Sequence, residues 1–410
     1  MTDRVHKSVL NTTLLVVGFG YLVDAFDLFL YNAVRVPSLR ELGLDGDALT
    51  RVGLQILNAQ VLGMLIGSFL WGILGDKIGR KKALIGSILI YSLGSLGCAF
   101  VHQIEVYGIL RFLTGIGLAG ELGLGAVLIA ETVDDKKRDF GLLIFTLFCY
   151  VGIMVANLMA GLYDWRTCYV VGGLVGLTLL LARMSLFESG LFEKLATTQA
   201  PRGSLILLFR QRGLFKRWLG CVLLAAFYYF IVNILISFAP EFAKAIGVAE
   251  PVKVSTALLV YSACAMVGSV LALWVGRIWK ARIRTTLLFL VVNMVLGALY
   301  LHQSPSTAAQ FYGFCGLMGL ANFYVLFLFI IVEQFGTNMR ATLGASSLSV
   351  GRATLVVTSS VFLALRHAGF DIITTATYVG GGAFVMSMIA LLGLKETYNQ
   401  NIDFIEQPHD

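Results

Sequence analysis

Of 410 residues, 58% are hydrophobic and only 13% charged, where soluble domains run to about a quarter charged. The balance excludes a water-soluble globular chain, and the net charge of +7 reads as a topology signal before it reads as affinity for nucleic acid. The six cysteines (Cys98, Cys149, Cys168, Cys221, Cys264 and Cys315) stand singly in or beside apolar runs, which predicts packed thiols rather than disulfides or a metal centre.

Twelve apolar runs follow in chain order: about 9–34, 52–74, 83–101, 106–130, 140–161, 167–187, 218–239, 254–275, 285–301, 307–332, 343–365 and 372–394. Each is long enough to cross a bilayer as a helix. Barrel strands would be shorter and alternate in polarity. No cleavable signal peptide is expected, since residues 11–34 carry two aspartates and read as a first span.

Asp24 and Asp27 in that first span are three apart and share a helical face. At about 1.5 Å per residue from Leu10, Asp24 lies roughly 21 Å into the span, near the midplane. Burying two acids is costly, which points to proton binding; a packing pair bonded to Tyr21 or Asn32 is the bland alternative. Gln55, Asn58 and Gln60 in the second run are weaker polar candidates. In the fourth, Arg111 stands about five residues from the outer end, where a long side chain can snorkel. Glu121 sits deeper, among glycines that permit close helix approach. It reads equally as a second protonation site and as a structural partner of Arg111, a serine or an amide.

The longest polar interruption, 189–216, carries Pro201, Gly203 and a basic cluster. It divides the chain into a six-span bundle (1–188), a linker (189–216) and a second six-span bundle (217–410). Span seven offers Tyr228, Tyr229 and Asn233 beside Phe227 and Phe230, and span ten offers Asn322, Phe323 and Tyr324. Aromatics with polar tips suit an organic molecule with an apolar body, and equally suit packing. Arg352, in span eleven, lies about ten residues past the preceding loop, roughly 15 Å deep. Its permanent charge and planar fork match a carboxylate, either of a substrate or of an acid in the other half. The histidines (His6, His102, His302, His367 and His409) all fall in loops or tails, leaving carboxylates as the proton carriers.

The halves repeat. GILGDKIGRKK, Gly72 to Lys82, recurs in degraded form 200 positions on as Ala272 to Arg282, with Gly276 at the place of Asp76 and Trp279 at that of Gly79. Glu131 and Arg138, seven apart after span four, recur 202 positions on as Glu333 and Arg340 after span ten. With both termini inside, inner segments hold 22 basic residues and outer segments 7, the asymmetry that fixes a cytoplasmic N- and C-terminus. Lys81 and Lys82 read as lipid anchors, Asp76 and Arg80 as a conformational latch.

Gly72, Gly75, Asp76, Lys77, Gly79, Arg80, Lys81 and Lys82 resemble the signature loop of the major facilitator superfamily. Glu131 with Arg138, and Glu333 with Arg340, are similar to the pairs that follow spans four and ten in its sugar-porter-like branch, and Leu186 to Ser189 resembles a worn form of that branch's motif after span six. The D-A-F-D of Asp24 to Asp27 resembles the paired aspartates of aromatic-acid:proton and phosphate:proton symporters, and Arg352 the anion-binding arginine of organic-anion carriers. Gly120-Glu121 looks more like metabolite:proton symporters of the alpha-ketoglutarate and betaine kind, and the acid-free span seven argues against inorganic phosphate. The resemblance implies an all-α protein of twelve transmembrane helices in two pseudo-symmetric halves, with a midplane substrate site reached alternately from either side. It assigns proton coupling to Asp24, Asp27 and Glu121, and substrate contact to Arg352, with Tyr228, Tyr229, Asn233, Asn322, Tyr324 and Arg111 as accessory candidates. Gating falls to Gly72, Asp76, Gly79, Arg80, Glu131, Arg138, Glu333 and Arg340.

The expectation is a monomeric secondary transporter of the inner membrane, symporting a small organic anion with protons, or with sodium. The rival is proton-coupled efflux or transport of a cationic or lipophilic compound or a metal through Asp24 and Asp27. No enzyme, cofactor, resident metal or nucleic-acid partner is expected, since no phosphate-binding, metal-spaced or nucleophile–base motif appears.

Overall fold

The computed structural model describes residues 2–133, 138–184, 202–302, 307–400 and 402–406, and it contains helices and no strand among them. The motif at Leu186 to Ser189 lies outside the described residues. Eleven helices there are long and apolar enough to cross a membrane. A further helix, Arg80–Cys98, opens on three basic residues and completes the expected twelve.

The chain divides into two compact units: Met1–Leu207 with Phe335–Ser349 and Asn401–Asp410, and Leu208–Gln334 with Val350–Gln400. The first unit holds α1 (Thr2–Glu41), α2 (Gly46–Ile78), α3 (Arg80–Cys98), α4 (Ile104–Thr132), α5 (Arg138–Leu162) and α6 (Trp165–Met184). α4 sits at its centre, packed on α2, α3 and α1, while α1 also packs on α5 and α3 on α6. Glycine lets α2 and α4 come close: a Cβ on Gly63 would stand 2.1 Å from the carbonyl oxygen of Phe112, and one on Gly115 2.2 Å from that of Gln60. A single residue, Gly79, separates α2 from α3, and its φ of 110° lies where only glycine turns without strain.

The short α7 (Leu205–Arg210) spans the boundary between the units. The second unit holds α8 (Arg212–Phe230) with its π-helical continuation Ile231–Ile236, α9 (Ala239–Ile246), α10 (Val254–Trp279), α11 (Arg282–His302), α12 (Ala308–Leu320), α13 (Tyr324–Glu333) and α15 (Ile372–Leu392). α14 (Arg340–His367) contributes its first ten residues to the first unit and the rest to the second. α8 and α11 pack on α15, and α10 packs on α12. The tenth apolar run, expected as one helix, is broken between α12 and α13. Asn322 holds the break: its Oδ1 accepts from the Tyr324 N–H at 3.1 Å, and its Nδ2 donates to Ser269 Oγ at 3.0 Å. Backbone freed at membrane depth must find such partners, because lipid offers none.

Candidate functional site

One face of α1 carries Gly20, Asp24 and Asp27 at helical spacing, and three buried charges of other helices, Arg111, Glu121 and Arg183, gather against it. Asp24 is 2% exposed and Asp27 1%. Arg111 on α4 reaches Asp27 with Nη1 3.2 Å from Oδ2, and its Nη2 donates to the Asp27 carbonyl at 3.3 Å. Ser95 on α3 donates to the other carboxylate oxygen. The guanidinium lies 5.4 Å from the Tyr31 ring centroid and 5.5 Å from that of Tyr169, within cation–π range. Arg111 therefore does not snorkel. It is fully buried, because an acid 84 positions away and two aromatic faces replace the water it leaves.

Glu121 takes the structural partner that its spacing left open, and that partner is Arg183. The guanidinium of Arg183 grips the carboxylate from two nitrogens at 2.8 and 2.6 Å, with both side chains buried. Arg183 is one of the 22 basic residues that the charge asymmetry assigns to the inner segments, and it lies in the last turn of α6 with its side chain buried. The signal was present, since residues 167–187 form one apolar run that contains it. The pair fits because α1 presents no side chain there: a Cβ on Gly20 would lie 1.8 Å from Arg183 Nη2 and 2.8 Å from Glu121 Oε2.

At the other end of the unit the signature loop meets the start of α14. Asp76 accepts hydrogen bonds from the N–H groups of Ala341 (3.2 Å) and Thr342 (2.8 Å) and from Thr342 Oγ1 (2.7 Å), so it caps the helix N-terminus where a negative charge is favoured. Arg80 lies 3.3 Å from Asp76 and 3.1 Å from Glu131, and donates to the Thr337 carbonyl at 2.7 Å. Glu131 also receives Arg340 at 2.7 Å, while Arg138 donates to the Ala130 carbonyl at 3.2 Å. Gly72 belongs here for its missing side chain, as a Cβ would stand 2.7 Å from the Cα of Thr342. Residues 402–406 lie along the loop that precedes α14: Thr337 N–H donates to the Phe404 carbonyl at 2.8 Å and Glu406 N–H to Asn338 Oδ1 at 2.9 Å.

The second unit repeats part of this arrangement. Arg282 donates to Glu333 at 3.2 and 3.4 Å, as Arg80 does to Glu131, with 51 residues between partners in both. The contact sets the repeat at 202 positions, so the counterpart of Asp76 is Ile278 rather than Gly276. The acid of the latch has no equivalent in the second copy on either count.

Among the substrate candidates, Tyr228 stacks on Tyr324 at 4.8 Å and 23°, and meets Tyr229 edge-on at 5.3 Å. Arg352, half-buried, holds its guanidinium 5.8 Å from the Tyr229 ring centroid. The Tyr229 hydroxyl is buried without a hydrogen-bond partner among the described residues. Asn233 and Asn322 are different: Asn233 donates to the Tyr229 carbonyl at 3.1 Å and Asn322 braces the α12–α13 break. Both amides hold irregular backbone. The π-helical turn beside Tyr229 is a departure from α-helix of the sort found at functional sites.

Comparison with known proteins agrees with this geometry. The pattern that defines the Major Facilitator Superfamily matches residues 17–358. The chain belongs to that superfamily. Among relatives of this Major Facilitator Superfamily protein, the putative niacin/nicotinamide transporter NiaP of Bacillus subtilis (strain 168) is 32% identical over 185 residues, which cover 44% of this chain and 45% of the relative. The chain thus spans about half the length of that relative. The gentisate transporter of Corynebacterium glutamicum is 24% identical over 405 residues, covering 94% of this chain and 88% of the relative. The 4-hydroxybenzoate transporter PcaK of Pseudomonas putida is 29% identical over 40% of this chain and 36% of its own length. The proton:xylose symporter XylE shares the fold, with a TM-score of 0.75 at 16% identity over 97% of this chain and 98% of that one.

Proposed function

We propose that this protein is a secondary transporter of the inner membrane, with cytoplasmic termini, that couples proton entry to uptake of a small organic anion with an aromatic body. The observation that carries the anion is Arg352, a cation inside α14 whose guanidinium lies 5.8 Å from the Tyr229 ring centroid. A fixed cation at membrane depth is expensive and by default marks a substrate path. Tyr229 and Tyr228 beside it add ring faces and a buried hydroxyl able to donate to a carboxylate. The relatives named for niacin, gentisate and 4-hydroxybenzoate support a carboxylate on an aromatic ring.

Proton coupling rests on Asp27 and Arg111. While ionised, Asp27 is held by the guanidinium; a proton on the carboxylate removes that attraction and frees the arginine, a local change able to bias a two-state protein. The same pair weighs against the rival reading, since a carboxylate occupied by an arginine is a poor site for a cationic substrate.

The test is uptake into proteoliposomes under an imposed pH gradient, then a sodium gradient, across benzoate, nicotinate, 4-hydroxybenzoate, gentisate, aliphatic mono- and dicarboxylates, and organic cations. Acid-driven accumulation of an aromatic carboxylate, lost in Arg352→Ala, is the expected result. In Asp27→Asn, accumulation should be lost while counterflow exchange persists, because exchange moves no net proton. Gradient-driven export of a cation, indifferent to Arg352→Ala, would overturn the reading.

A further inference from the structure

The loop that precedes α14, residues 335–339, is buried throughout, and so is Arg340 at the start of the helix. A buried stretch outside helix or strand must still find partners for its backbone N–H and C=O groups. Residues 402–406 supply several of them. The Gly336 N–H donates to Glu406 Oε1 at 3.2 Å, and the Thr337 N–H to the Phe404 carbonyl at 2.8 Å. Asn338 and Glu406 pair in both directions: the Glu406 N–H donates to Asn338 Oδ1 at 2.9 Å, and Asn338 Nδ2 to the Glu406 carbonyl at 3.1 Å. Arg340 donates from Nη2 to the Ile402 carbonyl while its Nη1 holds Glu131. Ile402 and Glu406 are buried and Phe404 half-buried, whereas Asp403 and Ile405 between them are exposed. Alternate residues are thus turned in, and all of these partners belong to the first unit.

No motif marks this segment, yet it grips the same short stretch that the signature loop holds. Arg80 donates to the Thr337 carbonyl at 2.7 Å, and Asp76 caps Ala341 and Thr342. We infer that the loop before α14 is a peptide-binding site, filled in cis by residues 402–406, whose occupancy decides whether the start of α14 stays docked on Asp76. The site takes a short peptide with an apolar residue, an aromatic residue and an acid at alternate positions. Backbone hydrogen bonds hold it, and the Glu406 carboxylate fixes its register on the Gly336 N–H. Emptying the site strips partners from two backbone N–H groups and from one nitrogen of a buried guanidinium, which removes much of the advantage of the docked loop. The segment is therefore a clasp on the helix that carries Arg352. The clasp does not depend on which solute the protein carries.

Hydrogen exchange of the protein in nanodiscs reads the amides of 336–342 with no solute present. Ending the chain after Gln400 should speed their exchange at least about tenfold, which is the loss of one charge-assisted hydrogen bond of about 1.4 kcal/mol. Amides of α5 and α10 should be unchanged. Gly336→Ala keeps the whole chain and strikes the same contact, since its Cβ would stand 2.8 Å from the Glu406 nitrogen and 2.9 Å from the Phe404 carbonyl oxygen. The φ of Gly336 is not positive, so alanine brings no backbone strain of its own. This variant should exchange as fast as the shortened chain, and the two changes together should add nothing, because the atoms that alanine meets are already gone. A synthetic peptide of residues 401–410 should then restore protection to the shortened chain. A tether supplies about millimolar effective concentration, so about 1 mM peptide should recover most of it, and a peptide carrying Glu406→Ala should need about tenfold more. Unchanged protection at 336–342 in the shortened chain would overturn the inference, as would equal rescue by a peptide of scrambled order. If shortening loosens the whole chain, Gly336→Ala decides, and wild-type protection in that variant would overturn the clasp.

Discussion

Replacing Asp76 by Asn tests whether the signature loop holds the start of α14. Asp76 is fully buried and accepts three hydrogen bonds from Ala341 and Thr342, beside Arg80 at 3.3 Å. A hydrogen bond to a charged group contributes about 1.5–3 kcal/mol. The amide keeps the shape and one acceptor oxygen, so the loss is the charged share of these contacts, roughly 2 kcal/mol in all. At about 1.4 kcal/mol per tenfold, that raises local opening of the segment by about 30-fold. Hydrogen exchange reads it directly, since exchange of the Ala341 and Thr342 amides requires the bonds to Asp76 to break. The expected result is about 30-fold faster exchange in peptides covering 339–345, with peptides from α11 unchanged. Thr342→Ala, which removes only the hydroxyl contact, should show a smaller rise. Unaltered protection at 339–345, or an equal loss along the whole chain, would refute the latch.

Gly20→Ala should lower the thermal midpoint, since its Cβ would sit 1.8 Å from Arg183 Nη2, and overpacking costs about 1–3 kcal/mol; Gly161→Ala, with nothing within 4 Å, should be tolerated in the same melt. Arg352→Lys should weaken binding of the transported carboxylate at least about tenfold in a direct binding assay, because a point charge cannot reproduce a planar fork. Asp371 caps α15, accepting from the N–H groups of Ile373 and Thr374 at 2.9 Å each, and Asp371→Ala should cost about 1 kcal/mol. The bonds from Thr374 and Ile373 hold the Asp371 carboxyl below the usual carboxylate range. Its charged cap is therefore complete at neutral pH and lost only as pH falls through that lowered value, so variant and wild type should converge in acid melts.

Much of the architecture was legible in the sequence because span length and hydropathy are local properties. The runs, the duplication and the buried position of Asp24 and Asp27 follow from residues read in order, and so does the signature loop, whose glycines and charges lie within eleven positions. The break in the tenth run was not legible, since Asn322 is a single polar residue in an apolar run that passes as continuous helix, and the bracing comes from Ser269 on another helix.

Partner choice belonged to the tertiary structure. Asp27 finds Arg111 across 84 positions, Glu121 finds Arg183 across 62, and Glu131 finds Arg340 across 209. The seven-residue spacing of Glu131 and Arg138 marks the right residues without revealing that Glu131 also joins Arg80 to Arg340. Arg183 shows the limit most plainly. By position it is one more basic residue at a helix end, and only the packing of α6 near a bare turn of α1 turns it inward. A charge is placed by whichever neighbour can replace its water, and in a helical membrane protein that neighbour sits on another helix, at a distance along the chain that no local pattern encodes.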